Sequence, residues 1–206
     1  MSPKLIPVRI ADDVFELSVE SPNAAQALSA KLREAALVED VVAGLSKVSV
    51  RFAPDRADDI HNWLLSFSDG EFKLEVSREE IEIAVQYGGK RGPDLEHVCQ
   101  ALGMSIPSFI DLHTSLDHSV DMIGFTPGFA YVSGLPRRLS VPRLSTPRPR
   151  VQAGSIGIAA AYTGLYALAG PGGWPLIGKT SEPLFDPQQE SPFRLQPGQR
   201  LKFRAE

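Results

Sequence analysis

The spacing of hydrophobic positions along this chain switches between helical and alternating, and each switch marks an expected element. Ser21 followed by Pro22 is a helix-start signal, and Ala25, Leu28, Leu32 and Ala35 then recur at helical spacing until the pattern fades near Glu39. Val48, Val50 and Phe52 alternate with Ser49 and Arg51, as a half-buried strand requires, and Pro54-Asp55 ends the run. A second amphipathic helix carries Ala57, Ile60, Leu64 and Phe67 on one face and stops at Asp69-Gly70. Phe72, Leu74 and Val76 then alternate as a further strand. Helices interleaved with strands predict an α+β arrangement.

Ser77 to Glu80 is polar, and beyond it most of the glycine and proline lies after Tyr87, so a boundary is expected between an N-terminal α+β domain, residues 1–79, and a second domain, residues 80–206. The second domain opens with Ile81, Ile83 and Val85 in alternation, then a Gly88-Gly89-Lys90-Arg91-Gly92-Pro93 loop. Asp94 starts a short helix with Leu95, Val98 and Leu102 on one face, and Ser105 with Pro107 marks another carrying Phe109, Ile110 and His113. From Met122 onward helical periodicity is lost. The apolar runs Ile156 to Ala160 and Leu165 to Leu168 stand between Gly and Pro turns, and Leu201 and Phe203 alternate with charged neighbours. This pattern predicts a closed β-structure.

Composition narrows the function classes. The chain of 206 residues is 43% hydrophobic, enough for a real core. A net charge of −4 argues against nucleic-acid binding, which relies on a surplus of Lys and Arg. Cys99 has no partner for an internal disulfide, the first residues hold no apolar leader, and nowhere do about 18 apolar residues run together. A cytoplasmic protein that does not span a membrane is the expectation.

Several segments carry candidate chemistry. In Gly124-Phe125-Thr126-Pro127-Gly128-Phe129-Ala130-Tyr131, two glycines and a proline bracket three aromatic rings in a stretch too irregular for helix or strand. Its backbone N–H groups could cradle an anion, or Phe125 and Phe129 could simply pack a barrel corner. Upstream, His113-Thr114-Ser115 is followed by Asp117, His118 and Asp121; a histidine there could act as acid or base, while the hydroxyls and carboxylates could equally cap the helix end. No zinc-site spacing occurs. Gly173-Trp174-Pro175-Leu176-Ile177-Gly178-Lys179-Thr180 matches the phosphate-loop pattern, but Pro175 and Pro183 forbid the helix that such a loop must open. Arg137, Arg138, Arg143, Arg148 and Arg150 cluster among prolines, either as a solvated loop or as a patch for a carboxylate or an acidic partner.

Tyr87-Gly88-Gly89 with Gly92-Pro93-Asp94-Leu95, His113-Thr114-Ser115, Met122 to Tyr131, and Pro171-Gly172-Gly173-Trp174 with Leu176-Ile177-Gly178 together resemble one family: the 5-oxoprolinase B subunit, also called KipI-like or allophanate hydrolase subunit 1. Pro142-Arg143, Thr146-Pro147-Arg148, Ala153-Gly154-Ser155 and Leu184-Phe185-Asp186-Pro187 extend the likeness. The resemblance implies a small N-terminal α+β domain followed by a C-terminal cyclophilin-like β-barrel. It further implies a homologous C subunit, an additional A subunit, and ATP-dependent opening of 5-oxoproline to glutamate. The alternatives it carries are a KipI-like inhibitor of a sensor histidine kinase and a carboxyltransferase acting on urea or a related amide.

By the same resemblance, His113 and the loop from Gly124 through Phe125, Thr126, Pro127, Gly128 and Phe129 to Tyr131 would line a cleft completed by a partner polypeptide, with Arg148, Gly172, Gly173 and Trp174 nearby as further substrate-binding candidates. ATP-dependent opening of a lactam needs amide donors for the developing charge and a base to direct water, roles that the loop and a catalytic His113 could fill. The chain departs from the family pattern at Ala11-Asp12, Ala160-Ala161-Tyr162 and His118-Ser119-Val120-Asp121. Alanine where the family has glycine is expected to exclude positive φ there, and aspartate for tyrosine changes the charge beside the cleft.

Overall fold

The Ser21 hydroxyl accepts the Ala24 N–H at 3.2 Å and Pro22 fills the first turn, so helix α1 (Pro22–Arg33) starts where its sequence signal stands. The computed structural model describes residues 4–68 and 80–206, and the chain divides into two compact units, Met1–Val76 and Ser77–Glu206. In the first unit, strands β1 (Val8–Ala11), β2 (Val14–Ser18), β3 (Asp40–Ala43) and β4 (Lys47–Arg51) form an antiparallel sheet in the order β1-β2-β4-β3. Ala25, Leu28 and Leu32 of α1 and Ile60 and Leu64 of helix α2 (Ala57–Leu64) join Leu17, Val48 and Val50 of the sheet in one core, where Phe15 stacks on Phe52 with centroids 4.8 Å apart.

Both helices of this unit are shorter than their hydrophobic spacing suggests. α1 ends at Arg33 rather than near Glu39, because the Glu39 N–H bonds the Arg51 carbonyl at 2.8 Å and draws the chain into the sheet. α2 ends at Leu64, and the Ser66 and Phe67 N–H groups close tighter bonds to Trp63 and Leu64. Strands β1, β2 and β3 add to the elements expected from sequence, and β2 carries the same alternation as β4, with Phe15, Leu17 and Val19 buried and Glu16 and Ser18 between them. The expected Asp69-Gly70 stop, the Phe72, Leu74, Val76 strand and the boundary at 79/80 involve residues outside the described ones.

The second unit is built on a closed barrel. Its strands are β5 (Glu80–Tyr87), β6 (His118–Ile123), β7 (Ala130–Ser133), β9 (Ser155–Ala159), β10 (Tyr162–Leu165), β12 (Leu176–Lys179) and β13 (Arg200–Ala205). They pair in the order β10-β7-β6-β13-β5-β12-β9, and β9 closes the ring on β10. Among the described barrel pairs, β5–β13 is parallel and the rest are antiparallel. Alternation points Ile83, Val85, Val120, Val132, Ile156, Ile158, Leu201 and Phe203 into the core. Helices α3 (Leu95–Leu102) and α4 (Ile106–Ser115) add Val98 and Phe109 to it, and a two-stranded ribbon of β8 (Arg148–Val151) and β11 (Gly170–Gly172) stands apart from the ring. The fold is α+β.

Three sequence readings change here. The segment expected to be irregular through Tyr131 returns to strand at Ala130, and of the Leu165 to Leu168 run only Leu165 is strand. The expectation that alanine excludes positive φ fails at Ala160, which has φ +50° in the tight turn between β9 and β10. Pairing of Tyr162 with Ala159 and the 2.8 Å bond from the Ala160 N–H to the Val141 carbonyl hold that turn, against a conformational cost of about 1 kcal/mol.

Candidate functional site

Strands β6 and β7 are joined by residues 124–129, the glycine- and aromatic-rich segment singled out by sequence. The Gly124 N–H bonds the Phe129 carbonyl and the Phe129 N–H bonds the Thr126 carbonyl, both at 3.0 Å, which closes the loop on itself. Gly128 has φ +76°, and a Cβ there would stand 2.8 Å from Ala167 Cβ and 3.0 Å from Phe185 Cβ, so only glycine lets the loop lie this close to the barrel end. The loop thereby turns Phe129 inward, 2% exposed, and leaves Phe125 outward, 62% exposed, with φ +73°.

Phe129 enters an aromatic cluster. Its ring meets Tyr131, Tyr166 and Trp174 edge to face, with centroids 4.9, 4.9 and 5.7 Å away. These rings pack directly on strand β10: a Cβ at Gly164 would fall within 2.8 Å of both Phe129 and Trp174. From the other side, the Leu144 N–H donates to the Gly173 carbonyl at 2.7 Å and fastens the Pro142-Arg143-Leu144 segment to the turn before Trp174.

Between these parts lies a cavity of about 270 Å³, lined by Phe125, Phe129, Tyr131, Tyr166 and Trp174, by Leu144, Pro147, Pro171, Gly172 and Gly173, and by one charged side chain, Arg143. The Arg143 guanidinium lies 5.9 Å from the centre of the Trp174 ring. Burial pushes the phenol pKa values of Tyr131 and Tyr166 up; the nearby Arg143 charge partly offsets this for both, and the Trp174 backbone does so for Tyr166. Both phenols are therefore neutral hydroxyls at neutral pH.

The structure brings five of the sequence candidates into this lining: Phe125, Phe129, Gly172, Gly173 and Trp174. Gly124, Thr126, Pro127 and Gly128 build the hairpin without lining the cavity. Arg148 also lies outside the lining. Its Nη2 donates to Asp94 Oδ1 at 2.7 Å while Asp94 Oδ2 accepts the Leu176 N–H at 2.6 Å, so Arg148 anchors the chain just after Trp174.

His113 is not in the cavity, contrary to the cleft-lining position expected of it. It is 0% exposed in the barrel core, within hydrogen-bonding distance of Tyr87 Oη at 2.7 Å and Thr163 Oγ1 at 3.0 Å, and stacked on Phe109 and Phe203. Burial, and secondarily the adjacent His118, hold its pKa well below the usual imidazole value. The neighbouring hydroxyls behave as a helix-end cluster, Thr114 bonding the Ile110 carbonyl and Ser115 the Leu112 carbonyl.

The two departures Asp121 and Tyr162 meet each other: Tyr162 Oη donates to Asp121 Oδ2 at 3.1 Å, and Ser133 Oγ donates to Oδ1 at 2.7 Å. Burial first, then the Asp121 charge, push the Tyr162 phenol up to about 12. The segment that matches a phosphate loop is barrel strand from Leu176 to Lys179, with Gly178 paired to Tyr87 and Ile156 and Lys179 Nζ bonded to Gln152. Its residues do not fit a nucleoside triphosphate. Tyr131 belongs to the loop that the family resemblance places at the cleft, and it too lines the cavity; Arg143 and Tyr166 are not assigned to the site by sequence, because Arg143 is one of five arginines among prolines and Tyr166 sits in an apolar run that reads as core.

The crystal structure of Kluyveromyces lactis urea carboxylase superposes on 99% of this chain with 22% of its own length, at a TM-score of 0.78 and 14% identity, a likeness of fold alone. Residues 7–195 match the family "Carboxyltransferase domain, subdomain C and D", and the chain belongs to that family.

Within it, the chain is 39% identical over 182 residues to the protein named as the B subunit of 5-oxoprolinase in Escherichia coli O157:H7, covering 85% of this chain and 82% of that one. The protein of the same name from Bacillus subtilis (strain 168) is 48% identical over 129 residues, 63% of this chain and 54% of that protein, so the match spans about half of that relative's length. The crystal structure of TTHA0988 superposes with a TM-score of 0.79 at 31% identity, over 94% of this chain and 40% of that one. Among the described residues, no helix is long and apolar enough to cross a membrane.

Proposed function

We propose that this chain is the B subunit of an ATP-dependent 5-oxoprolinase, acting with a homologous C subunit and an additional A subunit to open 5-oxo-L-proline to L-glutamate. The observation that carries this reading is the 39% identity to the B subunit of an E. coli 5-oxoprolinase over most of both chains; the aromatic cavity agrees with it by offering a small, largely apolar recess for a compact ring.

Opening the lactam adds water across the C–N bond, with ATP hydrolysis supplying the driving force; glutamate, ADP and phosphate leave. This chain's share is recognition. Phe129 and Trp174 present ring surface to the substrate, the Tyr131 and Tyr166 hydroxyls stay protonated, and the packed hairpin excludes water from one side. Among the described residues the cavity lining holds no carboxylate or imidazole, and the buried His113 cannot reach it, so the base that directs water and the residues that bind ATP belong to the partner subunits in this reading.

The test is reconstitution. The purified chain alone should release no glutamate from 5-oxoproline, and addition of the A and C subunits should give ATP-dependent release. Absence of turnover from the complete, correctly assembled set overturns the proposal.

A further inference from the structure

Among the described residues, Arg143 is a cation without an anion. Several other basic residues of the second unit are engaged directly: Arg148 with Asp94, Arg194 with Glu182, Lys202 with Asp117 and Arg204 with Glu82. Arg143 makes neither an ion pair nor a hydrogen bond within the described residues, yet it is the charged residue in the lining of an otherwise apolar cavity. Arg137, Arg138 and Arg150 are also unpaired among the described residues, but none of them lines that cavity. Contact with Trp174 and the Leu144–Gly173 backbone bond restrict where the guanidinium can go. A guanidinium held against an aromatic face keeps its N–H edge available for the two oxygens of a carboxylate.

From this juxtaposition we infer that Arg143 is the carboxylate receptor of the pocket, and that the ligand is a small compact ring bearing one carboxylate, with the ring lying among Phe129, Tyr131 and Trp174. The inference deepens the reading of the chain as part of a 5-oxoprolinase and rests on it for the identity of the ring. The volume of about 270 Å³ is at the low end for ligand sites and suits a ligand of few atoms. A fixed cation beside apolar walls discriminates sharply, because a ring without a carboxylate gains the walls but leaves the guanidinium unsatisfied.

The experiment compares 5-oxoproline with 2-pyrrolidinone, the same lactam lacking the carboxylate, on the assembled complex containing the wild-type, Arg143→Lys or Arg143→Met chain. Calorimetric titration of the wild-type complex should show 5-oxoproline binding about 10- to 100-fold more tightly, the range set by one charge-assisted contact. Arg143→Met should erase that preference and raise KM for 5-oxoproline with little change in kcat, and Arg143→Lys should restore part of it. A preference unchanged in Arg143→Met, or a wild-type complex that binds both lactams alike, overturns the inference. A complex that hydrolyses 5-oxoproline yet shows either result keeps the enzymatic reading and loses the receptor; one that shows the preference without hydrolysis keeps the receptor and loses the reaction.

Discussion

Two aromatic clusters in the barrel unit use similar residues to opposite ends. Around His113, the rings of Phe109 and Phe203 stack on the imidazole, and Tyr87, Thr163 and His118 surround it with no exposed surface on the histidine. Around Phe129, the rings of Tyr131, Tyr166 and Trp174 meet edge to face but leave a cavity, and the charge in its lining has no ion-pair partner among the described residues. The first cluster fills its own space, gives both His113 ring nitrogens a hydroxyl partner, and is a piece of the core. The second is unfinished by itself. A reactive residue type therefore says less about a site than unfilled volume and an unsatisfied group next to it.

The largest expected effect separates the clusters by stability. Phe109→Ala removes a fully buried ring from the closed cluster and should cost about 3–5 kcal/mol in urea unfolding, whereas Phe125→Ala at the open rim should stay within about 0.5 kcal/mol of wild type or improve on it. Equal losses would erase the distinction.

Acid provides the next contrast. Burial, with the neighbouring His118, lowers the pKa of His113, and burial lowers that of His118 despite the two carbonyl oxygens its ring nitrogens face. Below the ordinary value of 6.5, the unfolded chain takes up protons that the folded histidines refuse, so unfolding gains protons and stability falls. Urea midpoints should be flat above that pH and decline as pH drops below it toward the lower folded pKa values; His113→Phe should flatten part of the decline. Among the described residues, the lining of the open cluster holds no histidine or carboxylate.

The smallest effect probes strain. Phe125 holds φ +73° with its ring largely exposed and edge-on to Phe129 at 5.5 Å, and Phe125→Gly should raise stability by up to about 1 kcal/mol, the lost ring contact offsetting part of the relieved strain, while removing one wall of the cavity. A thermal scan with a parallel 5-oxoproline titration of the assembled complex checks both halves: higher Tm, weaker binding.

Local chemistry made much of the fold readable. The Ser21-Pro22 and Ser105-Pro107 signals mark the starts of α1 and α4, alternation marks β4, β5 and β13, and Gly128 announces a turn, because each depends on near neighbours in the chain. The α1 end was not readable in this way, since the Glu39–Arg51 bond spans a separate strand. Sequence likewise singled out Phe129 and Trp174 and included Arg143 within an arginine cluster.

What only the tertiary structure decided is which of these residues share a space. Barrel closure carries His113 inward to Thr163, fifty positions away, and brings Arg143 to Trp174 and Asp121 to Tyr162. Such pairings follow from the register of strands far apart in the chain, which no local pattern records, and they determine which side chain meets solvent and which meets another side chain.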